Sequence, residues 1–279
     1  SGSIIATGRG GIGITKSTNP VPIESNLRVV NTATGIIRGG EGGAAVQLPT
    51  RERESIDNQG IMIGGPLGQS VVVEGTGGND EIVNSNVIAG NILIQGGRNT
   101  IANSSNARLE ATDIVLGRRA ELVNAGTLSP DGAHRIGTMD LVAKYFQTKT
   151  GNYEFDLDVS DGQTDYFHIA SVGLLEGDVT LVPTETGLAK PGRFTSTEFL
   201  TARDVPLDKL AFEYPKSAIA DYKLINVSSN KGDGLKVEYK INYSPQGLSP
   251  NSRRLGNAIN HIQADGVDSL EQRVNAVYL

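Results

Sequence analysis

The feature that most restricts what this chain can fold into is an asparagine that keeps returning. An apolar residue, Asn, a short polar link and a strand-like run recur through the first 128 residues. Val30-Asn31 precedes GIIRGG, Ile56-Asp57-Asn58 precedes GIMIGG, and Val83-Asn84 precedes VIAGNILIQGG. Ile101-Ala102-Asn103 then precedes ARLEATDIVLG, and Val123-Asn124 precedes GTLSP. The asparagines at 31, 58, 84, 103 and 124 are separated by 27, 26, 19 and 21 residues. A return every twenty-odd residues marks a solenoid, whose single turns cannot bury their own apolar side chains and must stack to do so. The runs between, Ser70–Glu74, Asn91–Gln95 and Thr112–Leu116, are strand-sized and broken by Gly or Asn. No helix-length amphipathic pattern intervenes, so the stack expected is a parallel β-helix. A β-sandwich with asparagines in ordinary turns is the competing arrangement. Because Asn tolerates left-handed backbone and its amide bonds to nearby main chain, each repeat Asn is expected at a tight corner.

Residues 129–247 keep β character but lose the Asn theme, and their strands grow longer. Tyr153, Phe155, Leu157 and Val159 alternate with Asn152, Glu154, Asp156 and Asp158, which puts the first set on one strand face and the acids on the other. Phe167 with Ile169, and Val179 with Leu181, repeat the style. Turn formers separate these runs: Ser129-Pro130-Asp131-Gly132, Thr150-Gly151-Asn152, Ser160-Asp161-Gly162 and Glu176-Gly177-Asp178. Arg193–Thr201, Tyr222–Val227 and Leu235–Tyr243 read as further strands, and 203–221 as a loop or short helix. Residues 248–279 are helical in pattern. Ser249-Pro250 starts a helix lined by Leu255, Ile259 and Ile262, and Asp265-Gly266 ends it. Asp268 with Glu271 caps a second, lined by Leu270, Val274 and Val277. Helices this short need something to lie against.

Composition removes several classes of function. The chain has no Cys, which excludes disulfides and thiolate metal sites. A net charge of −6 is not that of a nucleic-acid binder. No apolar run approaches the roughly 20 residues of a membrane-spanning helix. The chain opens SGSIIATG, without an initiator Met, and is expected to be a piece of something larger.

The order of several short motifs resembles one family. Gly126-Thr127-Leu128-Ser129-Pro130, Ile136-Gly137-Thr138-Met139, and Tyr145 with Gln147 are similar to the start of the C-terminal part of bacterial autotransporter (type V secretion) passengers. Gly151–Asp158, Asp165–Ala170 and Leu175-Glu176-Gly177-Asp178-Val179 resemble that region's next strands. Tyr222-Lys223-Leu224, Gly234-Leu235 and Asn242-Tyr243 resemble its closing strands, and Leu248–Ile262 its helical link to an outer-membrane barrel. The likeness spans about residues 50–279 and implies a right-handed β-helix (1–128), an autochaperone or junction cap (129–247) and a helical linker (248–279) toward a barrel outside this chain. It also implies export to the cell surface of a Gram-negative bacterium. The partners implied are the chain's own barrel and a host-cell or matrix ligand, with no nucleic acid and no membrane contact by this segment. The side chains expected to form the folding core of the cap are Tyr153, Phe155, Leu157, Phe167, Ile169, Val179 and Leu181.

Motifs that carry chemistry are few, and none supports a catalytic, cofactor or metal assignment. Gly8-Arg9-Gly10-Gly11-Ile12-Gly13 spells GxGxxG, but the ITKSTNPVP that follows is no helix, so a glycine-rich turn is expected. Gly75-Thr76-Gly77-Gly78-Asn79-Asp80-Glu81-Ile82 partly matches a calcium-binding nonapeptide, in a single copy that Thr76 interrupts, and reads as a corner turn. Glu154, Asp156 and Asp158 raise the alternative of a carbohydrate-active β-helix enzyme or a tailspike-like glycan binder, which would use clustered acids with Arg or Lys nearby. A solvated outer face is the expectation for these acids. His134, His168 and His261 lack metal-ligand spacing. There is no GxSxG elbow and no RGD tripeptide.

Overall fold

The computed structural model describes residues 2–15, 26–48, 52–65, 71–75, 77–117, 119–184, 189–202, 209–229 and 232–265. The chain winds as a parallel β-helix with three faces. The asparagine face stacks Arg28–Asn31, Ser55–Asn58, Glu81–Asn84, Thr100–Asn103 and Glu121–Asn124, and continues into the second half of Thr138–Gln147. The second face runs from Ser3–Ile5 through Ile36–Arg38, Ile61–Ile63, Val87–Ala89, Arg108–Glu110 and Thr127–Ser129. It goes on through Asn152–Asp158 and Gly177–Thr184 to Leu210–Glu213. The third face runs from Ile14–Thr15 through Val46–Leu48, Val71–Gly75, Asn91–Ile94 and Asp113–Val115 to the first half of Thr138–Gln147, then Tyr166–Leu175 and Leu200–Ala202.

Strict parallel register makes the interior a set of columns. On the second face Ile37, Met62, Ile88, Leu109, Leu128, Tyr153 and Val179 stand one above another. On the third, Val46, Val73, Ile92, Ile114, Leu141, Ile169 and Ala202 do the same. All fourteen are buried. Burial in a period of two on short strands requires the chain to turn after three or four residues, which the corners supply. Gly60, Gly126 and Gly151 each follow an asparagine-face strand, where an added Cβ would lie 2.3, 2.3 and 2.4 Å from a backbone carbonyl oxygen of the preceding coil.

The repeat asparagines form a ladder. Asn31 Nδ2 donates to Asn58 Oδ1 at 2.7 Å, Asn58 to Asn84 at 2.8 Å, Asn84 to Asn103 at 2.9 Å and Asn103 to Asn124 at 2.8 Å. The same nitrogens donate to the carbonyls of Ile61, Val87, Arg108 and Thr127 in the coils that follow. Both amide hydrogens of each are therefore used, as buried polar groups require. Gln147 takes the next place, with Tyr145 Oη donating to its Oε1 at 2.7 Å and its own amide donating to Glu176 O and Asp178 O. The expected left-handed corner is corrected by this geometry. These asparagines are strand residues, and the non-glycine residues with positive φ among those described are Asn106, Asp131 and His134. Cross-coil amide pairing keeps the Asn in place.

Parallel winding does not stop at residue 128, where the sequence changes style. Strands Thr138–Gln147, Asn152–Asp158, Tyr166–Leu175 and Gly177–Thr184 occupy the same three faces. Antiparallel pairing enters with Gly232–Ile241, which lies against Gly192–Thr195 and Leu200–Ala202 on one side and Ala220–Ser229 on the other. The expected single strand over 193–201 is two strands. Between the pairs Thr195–Glu238 and Leu200–Leu235 lie four residues on one side and two on the other, a bulge that turns Phe199 into the core. Part of 203–221 is a strand, Leu210–Glu213, rather than loop or helix, while 203–208 lie outside the described residues. Helix Pro250–Asp265 begins at the expected Ser249, whose Oγ accepts the Ser252 amide. It docks through Gly256 on Tyr243 O and Asn260 on Tyr243 N, which leaves Leu255 exposed. The expected second helix falls outside the described residues. Among those described, no helix is long and apolar enough to cross a membrane.

Candidate functional site: the aromatic core of the last coils

Every aromatic residue of the chain, eight Tyr and six Phe, stands at or beyond Tyr145. The columns are thus aliphatic through the first coils and change filler where the coils lengthen. Tyr145 enters from the asparagine face, Tyr153 and Phe155 from the second, Phe167 from the third, and Phe199 from the bulge beneath the cap. All five are buried. Phe155 stacks on Phe199 with centroids 3.8 Å apart and planes at 6°. Phe167 meets the edge of Tyr145 at 5.3 Å and lies 5.3 Å from Tyr153. Tyr153 Oη donates to Phe199 O. Aromatic pairs in such geometries add about 0.5–1.5 kcal/mol each beyond area burial.

All seven expected core residues are inside this unit. Tyr153, Phe155, Leu157, Phe167, Ile169, Val179 and Leu181 are buried. The structure brings Tyr153, Phe155 and Phe167 into one ring cluster, while Ile169, Val179 and Leu181 continue the aliphatic columns around it. Tyr145 and Phe199 complete the cluster and were missing from the sequence reading of the core. The absence of any aromatic before Tyr145 is the signal that would have found Tyr145.

The acids of strand Asn152–Asp158 depart from the solvated outer face expected of them. Glu154 is half-covered, with its carboxylate 2.6 Å from Arg108, and Arg108 also pairs with Glu110. Burial alone would favour neutral Arg108, but its hydrogen bonds to Glu154 and Glu110 outweigh that and hold the guanidinium protonated. Asp156 and Asp158 are buried. Segment 130–137, turned by Asp131, Gly132 and His134 at positive φ, folds over Asp156. Arg135 N donates to Asp156 Oδ2 at 2.6 Å and Gly137 N to Asp165 Oδ1 at 2.6 Å, while Asp156 N donates to Asp165 Oδ2 at 2.9 Å. Asp158 Oδ1 accepts both amide and hydroxyl of Ser160. Two successive coils are tied by two carboxyls.

Burial pushes the Asp165 carboxyl up to about 8 despite the Asp156 and Gly137 amides, with the charges of Asp156 and Asp131 adding to the rise. Burial likewise pushes Asp156 up to about 6, eased by the Arg135 amide and His134. The sign of the pH dependence follows. The unfolded chain releases the Asp165 proton near 3.8 and the folded chain holds it to about 8, so stability is highest in acid and is lost as pH rises between those values. Above about 6, where Asp156 and Asp80 have ionised, Asp165 carries the remaining slope. Thermal melts should show Tm falling from about pH 6 to about pH 8 in the parent chain, and Asp165→Asn should erase that slope whatever its absolute Tm.

Asp156, Asp158 and Asp165 are buried, while Glu154 keeps part of its surface exposed beside Arg108. Two depressions on the cap are lined by other residues. One includes Arg193, Asp221, Lys223 and Glu238, and the other Pro183, Pro215, Ile219 and Tyr243. The GxGxxG segment forms the turn between Ser3–Ile5 and Ile14–Thr15, with Gly8 and Gly10 at positive φ. Gly77–Asp80 forms the corner before strand Glu81–Asn84, and Thr76 lies outside the described residues. His168 and His261 are exposed, and His134 sits in the 130–137 turn. Among the described residues no three His, Asp or Glu side chains converge as metal ligands do. No protein-family model matches this chain, and no curated protein matches it.

Proposed function

We propose that this chain is the stem of an autotransporter passenger, exported to the surface of a Gram-negative bacterium and folded there from its C-terminal end. In this reading it is not an enzyme. It acts as a rigid extracellular column, part of a surface-exposed or secreted adhesin or virulence factor, held by its own outer-membrane barrel and presenting a host or matrix ligand-binding region. The observation that carries the reading is the asymmetry of the column. All the large aromatic side chains of its core are packed in the last coils and the antiparallel cap over them, while the preceding coils are aliphatic and joined by an amide ladder. A unit with dense local packing forms first, and its upper edge then offers a paired template to each coil that follows. The order of motifs from Gly126 to Asn242 supports the same assignment. Each coil added buries apolar surface at about 25 cal/mol per Å2, a free-energy gain that needs no ATP outside the cell.

The test is surface display. In the full-length protein, Phe155→Asp or Leu157→Asp puts a charge into the nucleus and should block display, read by antibody labelling and protease accessibility of intact cells. Normal display of both variants would refute the nucleating role.

A further inference from the structure

Each coil has a second inward corner, just before its asparagine-face strand. Glu54, Asp80 and Asn99 hold this station in three successive coils, since Ser55 pairs with Glu81 and Glu81 with Thr100. Each is exposed by 1% or less. At each step a side-chain oxygen accepts the amide of the coil before. Asp80 Oδ1 takes Glu54 N at 2.9 Å, and Asn99 Oδ1 takes Asp80 N at 2.9 Å. The other side-chain atom is where the two differ. Asn99 Nδ2 donates to the carbonyls of Gly96, Leu116 and Ile94 at 2.7, 2.9 and 3.3 Å. The register places Gly77, Ile94 and Gly75 at the same stations one coil earlier. Asp80 brings an oxygen to that donor's place, and Oδ2 is buried with no hydrogen-bond partner among the described residues. An oxygen facing carbonyls gains nothing unless it carries a proton.

We propose that Asp80 is the neutral acid in the folded column and donates through Oδ2–H where Asn99 donates through its amide, so that this corner is a proton-gated closure that loosens when Asp80 ionises. The charges around it favour the neutral form. Glu54, from the preceding coil, is the acid that bears on it. Arg53 and Glu81 pair with each other at the surface, 2.7 Å apart, while Glu52 and Arg98, on the preceding and following coils, are exposed. Burial pushes the Asp80 carboxyl up to about 6, eased by the Glu54 amide and raised further by the Glu54 charge. The folded-state value exceeds the ordinary 3.8, so the contribution is whole in acid and lost as pH rises through about 6.

Asp80→Asn installs the amide permanently. Melts from about pH 4 to about pH 8 should show the variant level with the parent in acid, then ahead by about a hundredfold in folding equilibrium constant once pH passes 6, with the gap constant above that. Glu54→Gln removes the charge that raises Asp80 further, so it should shrink the gap. Carbon NMR of the parent's Asp80 carboxyl reads the same property without substitution, with a midpoint near 6 expected. A midpoint near 4, or a gap equal at every pH, overturns the proposal. So does saturable stabilisation of the parent by calcium near pH 8 that Asp80→Asn abolishes, which would assign the corner to a cation.

Discussion

Replacing Asn84 with alanine should destabilise the column by about 3–5 kcal/mol, from two or three buried groups left unsatisfied at about 1–3 kcal/mol each. Asn103 Oδ1 loses its donor from the ladder, Arg108 O loses its side-chain donor, and Asn58 Nδ2 keeps only Val87 O. Asn31, at the end of the described ladder, has one ladder partner rather than two, so Asn31→Ala should cost less. Asn84→Asp should cost more than alanine at neutral pH. Its carboxylate would face Asn103 Oδ1 and Arg108 O, both acceptors, at a site with no solvent exposure. Acid should rescue the Asp variant, because a protonated carboxyl restores one donor, and should leave the Ala variant where it was. Denaturant unfolding of the three variants at two pH values checks this. A loss below about 0.5 kcal/mol for Asn84→Ala would place it with ordinary surface substitutions and remove the ladder from any account of stability.

The winding was legible because a buried amide leaves a mark that repeats. An Asn inside a strand, at intervals too long for a turn and too regular for chance, needs a partner in another coil. What each amide bonds to was not legible, because the partner lies 19 to 27 residues away and the local chemistry of Asn equally suits a corner. The change in style after residue 128 was visible, but its meaning was not. Pairing continues across it, and what changes is the filler of the columns, from Ile, Leu and Val to Tyr and Phe.

Alternation decides which side chains of Asn152–Asp158 face the interior. Tyr153, Phe155 and Leu157 point in because every second residue must. The same rule put Asp156 and Asp158 on the opposite side, and there it fails as a statement about solvent. Period two says which way a side chain points and nothing about what lies over it. Segment 130–137 lies over Asp156, and that contact belongs to the fold of a neighbouring coil. Phe199 was hidden for a related reason, since a bulge breaks the alternation of 193–201 just where the ring turns inward.

Phe155→Ala should cost about 3–5 kcal/mol, the range for truncating a buried aromatic, and the loss should be local. Phe155 has no exposed surface and its ring lies flat on Phe199, which the cap strand Gly232–Ile241 holds through the Phe199 amide bonded to Leu235 O. Removing the ring opens a void that Phe199 alone cannot fill, so the contact between the last coils and the cap is lost first. Stability in a column is a sum of coil terms and nearest-neighbour terms, and coils three and four steps away share neither with residue 155. Hydrogen exchange should therefore speed up for amides of Thr138–Gln147, Tyr166–Leu175 and Leu200–Ala202, while Ser55–Asn58 and Glu81–Asn84 keep most of their protection. Phe155→Leu separates the two parts of the effect. It restores most of the apolar volume without the stacked ring, and should recover all but about 1–2 kcal/mol. Uniform loss of protection along the whole chain in Phe155→Ala would mean that the column unfolds as one unit, and that its C-terminal end has no separate stability with which to begin.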